Sequence, residues 1–187
     1  MNVYDFDRTI YDGDSTADFI FWCIRKKPSL ALRLFPGTVA FGAHFLKLCS
    51  KTYYKEKFYR FLYRIPDIDA WVSDFWAESI DRIKEWYLLR QRDDDVIISA
   101  SPTFLLRPAC KQLGISHLLA SRVDKDTGMY LGRNCHGEEK VRRFRRAFPD
   151  AVIDEFYSDS LSDAPLANLA KRAYLVKGDE LFPWADE

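Results

Sequence analysis

Apolar and polar positions alternate along the first residues, where Val3 and Tyr4 run into Asp5-Phe6-Asp7, and this pattern reads as a short buried strand with a polar end. Residues two apart on a strand or its immediate extension point the same way, so Asp5 and Asp7 address one small volume. The following Tyr-Asp-Gly-Asp-Ser predicts a turn, with Asp14 or Ser15 capping a helix. From there to about Arg92 the period is helical. One helix is expected over 17–26. A second opens at Pro28 and should bend or break at Pro36-Gly37, and a third covers 53–63. The fourth has the clearest stripe, because Ile68, Trp71, Val72, Phe75, Trp76, Ile80, Ile83, Trp86 and Tyr87 recur at three- and four-residue steps.

Beyond Asp93-Asp94-Asp95, which reads as a solvated loop, the pattern changes. Strands are expected over 96–99, 118–123, 152–157 and 173–176, with helices over 101–113, 137–148 and 165–171 between them. Ser101 and Pro102 fit the N-cap and first position of the first of these helices, Pro108 should kink it and Gly114 should close it. The stretch 127–132 reads as a hairpin or excursion. Strands alternating with helices imply an α/β fold with a largely parallel central sheet and right-handed crossovers. A core of 1–13 and 92–187 would carry an inserted all-helical unit over 14–91.

Composition narrows the choice of partner. Among 187 residues, 28 Lys and Arg balance 28 Asp and Glu, so no net field recommends nucleic acid or an acidic membrane. Cys23, Cys49, Cys110 and Cys135 form no Cys-x-x-Cys pair, and the three histidines are equally scattered. Zinc is therefore disfavoured, and reduced thiols in a cytoplasmic protein are expected. With a strand read almost at Met1, no secretory signal is expected. The apolar stretch 30–49 invites a membrane reading, but Arg33 and Lys47 leave thirteen uncharged residues between them, too few to span a bilayer. A bundle helix is the expectation, with peripheral contact with lipid as the other reading.

In an open α/β sheet, ligands bind beyond the carboxyl ends of the strands. Asp5 and Asp7, Ser99, and Asp159 with Asp163 all fall there, while Lys140 stands in the first turn of a helix whose buried stripe is Val141, Phe144 and Phe148. At these positions the chain resembles the haloacid dehalogenase superfamily, on its phosphoserine phosphatase-like branch. The family's Asp-x-Asp-x-Thr stands as Asp5-Phe6-Asp7-Arg8-Thr9, and its strand-ending serine as Ser99 in Ile97-Ile98-Ser99-Ala100-Ser101-Pro102. Its helix-leading lysine stands as Lys140, and its acidic pair as Asp159 and Asp163 in Ser158-Asp159-Ser160-Leu161-Ser162-Asp163. The order matches and nearly the whole chain is spanned. Arg8 fills a slot that is often small, and Ser158 and Ser160 replace the commoner glycines.

The resemblance implies a Rossmann-like core with a helical cap of the C1 type. It also implies a magnesium-dependent phosphatase acting on a small phosphorylated metabolite through an aspartyl-phosphate. Asp5 would be the nucleophile and Asp7 the general acid and base. Ser99 and Lys140 would bind phosphate, and Asp5, Asp7 (through its carbonyl), Asp159 and Asp163 would serve the Mg2+, Asp163 directly, through water or by positioning Lys140. Thr9 is expected to fix the turn, and Ser101 competes with Ser99 for the phosphate. For a phosphoserine-like substrate, Asp14 would hold the amine unless it only caps its helix, and Arg60 or Arg64 would hold the carboxylate. The alternatives are a lipid head-group phosphatase, such as one acting on phosphatidylglycerophosphate, a phosphotransferase or mutase, and a non-catalytic phosphate-binding module. Oligomeric state and substrate are not legible.

Overall fold

In the computed structural model, which describes residues 1–46, 48 and 51–184, the centre is a sheet of β1 (Asn2–Tyr4), β2 (Val96–Pro102), β3 (His117–Ser121), β4 (Ile153–Ser158), β5 (Ala170–Lys177) and β6 (Glu180–Pro183). Its order is β3-β2-β1-β4-β5-β6. The first five strands are parallel, and β6 is antiparallel to β5. Alternation along the strands divides the core into two layers. Val3, Val96, Ile98 and Phe156 pack on one face with Phe144 and Leu166. Tyr4, Ile97 and Tyr157 point to the other, where Tyr157 stacks on Tyr4 at 4.8 Å and on Tyr174 at 5.0 Å.

Between β1 and β2 the chain forms α1 (Ser15–Lys26), α2 (Ala31–Phe45), α3 (Lys51–Tyr59), α4 (Ile68–Ser79) and the single turn α5 (Glu85–Leu88). Helices α6 (Thr103–Gln112), α7 (Glu138–Ala147) and α8 (Ala164–Ala167) connect the later strands. The stripe on α4 buries Ile68, Val72, Phe75 and Trp76, and the Trp76 indole donates to the Leu105 carbonyl at 2.6 Å, tying this helix to α6. Among the described residues no helix is long and apolar enough to cross a membrane. Cys23, Cys110 and Cys135 are buried and unpaired; Lys47 and Cys49 lie outside the described residues.

Several elements differ from the sequence expectation, each for a local reason. The stripe from Ile68 to Tyr87 is not one helix, because the chain extends at Ile83 to form a bridge with Tyr11, and Lys84 N–H donates to the Ile10 carbonyl at 2.8 Å. Ile83 is buried at this bridge, and Trp86 by packing against Tyr4 and Tyr157 of the sheet, with ring centroids 6.3 and 5.4 Å apart. Helix α2 runs unbroken through Pro36, and α6 through Pro108. Ser101 is not an N-cap: β2 continues through Pro102, and α6 starts at Thr103 without a side-chain cap. The expected helix over 165–171 shrinks to α8 as β5 begins at Ala170, and β6 follows a two-residue turn at Gly178-Asp179, with Gly178 at φ 60°.

The hairpin around 124–131 touches the helical block. Tyr130 N–H donates to Glu56 at 3.1 Å, and Gly128, at φ 74°, lies so close to Tyr59 that an added Cβ would stand 2.6 Å from its backbone carbonyl. Both the left-handed backbone and the contact favour glycine. Gly128→Ala is therefore expected to cost about 2 kcal/mol. That corresponds to a melting point lower by roughly 4–8 °C; an unchanged thermal melt would contradict the contact.

Candidate active site

The loop leaving β1 is wound tightly around one carbonyl. Phe6 C=O accepts from the N–H groups of Thr9, Ile10 and Tyr11 at 3.3, 3.0 and 3.0 Å, and Arg8, at φ 58°, donates its N–H to Gly13 C=O at 2.8 Å. A left-handed arginine is uncommon and costs of order 1–3 kcal/mol unless its surroundings fix it. Lys84, buried to 6 % exposure, does so by donating to the Arg8 carbonyl at 2.8 Å. Asp5 N–H donates to Tyr157 C=O at 2.9 Å, and the buried Thr9 hydroxyl accepts from Asp159 N–H at 3.0 Å. These two bonds join the loops after β1 and β4, so residues 150 positions apart face one volume.

Lys140 reaches into that volume from the first turn of α7. At 2 % exposure its ammonium donates to Asp5 Oδ1 at 2.7 Å and to Asp163 Oδ2 at 2.6 Å. Burial pulls Lys140 down, but the two carboxylates outweigh it and hold the ammonium well above its usual range. Burial pushes the Asp5 carboxyl up to about 7, with Asp163 and Asp7 adding to the push and Lys140 opposing it. Asp163 Oδ2 also accepts from Ser158 at 2.8 Å, so the serine that replaces a glycine supplies a hydroxyl to orient it. Arg143, by contrast, is spent on structure: it pairs with Glu139 and donates to backbone carbonyls of Ala120 and Arg133.

Asp7 sits among donors. Ser15 N–H donates to Oδ1 at 2.7 Å, and the Ser101 hydroxyl donates to Oδ2 while sharing a 3.0 Å hydrogen bond with Thr16. Burial first, then Asp14, raises the Asp7 carboxyl, and these hydrogen bonds oppose the rise. Ser99, at 1 % exposure, accepts from Ser101 N–H at 3.1 Å. Both serines border the cavity. Sequence reasoning gave Ser101 a capping task; what it missed is the backbone irregularity between Ser99 and Pro102, which turns Ser101 inward. Asp14 both caps α1, accepting from Ala17 N–H at 3.0 Å, and lines the cavity.

The cavity measures about 650 Å3. Its floor carries Asp5, Asp7, Ser99, Ser101, Lys140 and Asp159, with Asp163 beside them. The helical block supplies the facing wall, in which Ile20, Phe21, Leu34, Phe41, Tyr54 and Phe58 stand out. Arg60 is exposed and does not line it, and the Arg64 side chain lies outside the description, so the expected carboxylate-binding role of Arg60 is not supported by its position. Arg8, noted in the sequence only for filling a slot that is often small, borders the cavity and lies 3.9 Å from Asp14.

Among the described residues no three His, Cys, Asp or Glu side chains converge tightly enough to enclose an ion by themselves; Lys140 stands between Asp5 and Asp163. The remaining donor set nevertheless fits a hard divalent cation, since Asp5, Asp7, Asp159 and Asp163 border the cavity together. Burial first, then Asp163, raises the Asp159 carboxyl, and Arg8 and Lys140 oppose the rise. Magnesium takes one or two carboxylates and completes its shell with water and substrate phosphate.

Comparison with known proteins places the chain in a family. Residues 3–168 match the family model of haloacid dehalogenase-like hydrolases. Protein CicA of Caulobacter vibrioides is 28 % identical over 181 residues, covering 90 % of this chain and 82 % of its own. A Bordetella pertussis protein of unknown function superposes with a TM-score of 0.72 at 22 % identity, over 92 % of this chain and 87 % of that one. A phosphoserine phosphatase carrying a phospho-aspartyl intermediate analogue superposes with a TM-score of 0.55 at 15 % identity, over 91 % and 83 %. At such identities the structural likeness speaks for the fold.

Proposed function

Because the chain belongs to the haloacid dehalogenase-like hydrolase family, with a fold shared by phosphoserine phosphatase, we propose that it is a magnesium-dependent phosphatase hydrolysing small phosphomonoesters through an aspartyl-phosphate. The observation that carries this reading is the meeting of Asp5, Asp7, Ser99, Lys140 and Asp159 on one cavity floor. In the first step an Asp5 carboxylate oxygen attacks phosphorus and the ester P–O bond breaks, the leaving oxygen taking its proton from Asp7. In the second, Asp7 takes a proton from water, the oxygen attacks phosphorus, and the bond to Asp5 breaks to release phosphate. The raised Asp7 carboxyl suits a group that gives and then accepts a proton. Ser99 and Lys140 hold the phosphoryl oxygens and offset the charge spread over them. Asp163 positions Lys140. Asp5, Asp159 and the Asp7 carbonyl would hold Mg2+, which supplies further charge neutralisation when bound.

The helical block over 14–91 then acts as the cap that selects the leaving group. Its wall of Ile20, Phe21, Leu34, Phe41, Tyr54 and Phe58, with Lys55 as its cation, favours a leaving group with an apolar body over free phosphoserine, and Arg60 does not line it. This wall keeps the lipid head-group phosphatase as a second reading. A panel of phosphomonoesters with magnesium tests both. Alkyl and aryl phosphates are expected to release phosphate faster than phosphoserine; no release from any monoester would end the phosphatase reading, and a preference for phosphoserine would end the account of the wall.

A further inference from the structure

Helix α2 is apolar on two opposite sides. Leu34, Thr38 and Phe41 face the cavity, and Phe41 and Gly37 receive Tyr54 and Phe58 of α3, with a Phe41–Tyr54 ring distance of 5.4 Å. Leu32, Pro36 and Val39 recur at the four- and three-residue steps that keep one helix face, with the cap residue Leu46 two turns further on, and they turn the other way. They are exposed, Leu32 to 81 %, Val39 to 58 % and Leu46 to 72 %, and Leu48 just beyond the helix is 75 % exposed. A helix apolar around most of its girth is ordinarily buried. Here one side closes the cavity and the other meets solvent.

The sequence segment that carries this helix is uneven in charge, although Lys55 within it lines the cavity. The whole chain has no net charge, yet residues 28–64 hold seven lysines and arginines against Glu56 alone. The balance that disfavoured an acidic surface for the chain as a whole does not hold for this segment. Exposed leucines and valine in one row, on a strongly basic segment, match an interface that is apolar within and anionic at its rim. With fifteen residues α2 is too short to span a bilayer, but it can lie in its surface plane.

We propose that the outward face of α2 docks on an anionic lipid bilayer, with Leu32, Val39, Leu46 and Leu48 entering the headgroup boundary and the exposed Arg33 beside Leu32 meeting lipid phosphates. The contact lies on the far side of the cavity wall and does not depend on catalysis. Each basic residue near such a surface raises partitioning roughly fivefold at low salt, and the contribution falls off within a Debye length.

Flotation of the full chain with vesicles tests this docking. Binding is expected to phosphatidylcholine vesicles containing phosphatidylglycerol, to weaken with added salt, and to be far poorer with phosphatidylcholine alone. The triple variant Leu32→Ser, Val39→Ser, Leu46→Ser removes outward side chains, and its partitioning is expected to fall about tenfold or more. The single Val39→Ser variant shows a smaller drop in the same direction and serves if the triple variant misfolds. Absence of wild-type flotation with the anionic vesicles, or equal flotation of wild type and variants, overturns the proposal. So does light scattering that shows a dimer which the same substitutions dissociate, since the face would then bind a second copy.

Discussion

Replacing Lys140 with methionine is expected to lower stability by roughly 3–5 kcal/mol and the melting point by about 6–20 °C, while abolishing phosphate release. The ammonium is 2 % exposed and compensates Asp5 and Asp163 from 2.7 and 2.6 Å. Without it two buried carboxylates face each other, and one takes up a proton instead of leaving the full charge uncompensated. A carboxyl raised in the folded state favours folding when protonated, and that gain is lost as pH rises through its folded value. The deficit of the variant therefore narrows as the solution is acidified. Adding Asp163→Asn to Lys140→Met removes one of the stranded charges and is expected to recover part of the stability but none of the activity. A melting point equal to wild type for Lys140→Met would mean that the buried triad is not formed.

Asp7→Asn is expected to slow turnover of alkyl phosphates by about 10²–10⁴-fold, the usual worth of a positioned acid or base. The asparagine cannot protonate the departing oxygen or draw a proton from water. With 4-nitrophenyl phosphate, whose leaving group needs no proton, the first step is spared and the second is not. Stopped-flow traces are expected to show a burst of nitrophenolate followed by slow turnover. Equal slowing of both substrates without a burst would remove Asp7 from the proton transfers.

The sequence made the floor of the site legible and much of its wall illegible, for physical reasons. Asp5, Asp7 and Asp159 follow strand ends and Lys140 leads a helix, where position along the chain fixes direction; Ser99, expected to close its strand, instead stands inside β2 just before the irregularity, and all five border one cavity. Ser101 was misread because Ser-Pro before an apolar run is the ordinary grammar of a helix start, whereas β2 carries an irregularity there that no spacing announces. The break after Ser79 was hidden because Ile80, Ile83, Trp86 and Tyr87 continue the helical period while the backbone departs from it to pair with Tyr11. Strand β6 did have a signal, since Gly178-Asp179 between Tyr174-Leu175-Val176 and Leu181-Phe182 is a two-residue hairpin turn. The aromatic wall could not be read, because helical period says which residues share a face and not what the face overlooks.

The central claim is that Asp5 receives the phosphoryl group in a site assembled from both ends of the chain. Beryllium fluoride with magnesium, which mimics a phosphoryl group on a carboxylate, tests it by thermal shift. A ligand held by the folded state alone raises the melting point by mass action. The wild-type chain is expected to melt several degrees higher when both are added, and Asp5→Asn to show no shift; an equal shift in the two proteins, or none in either, would contradict the account.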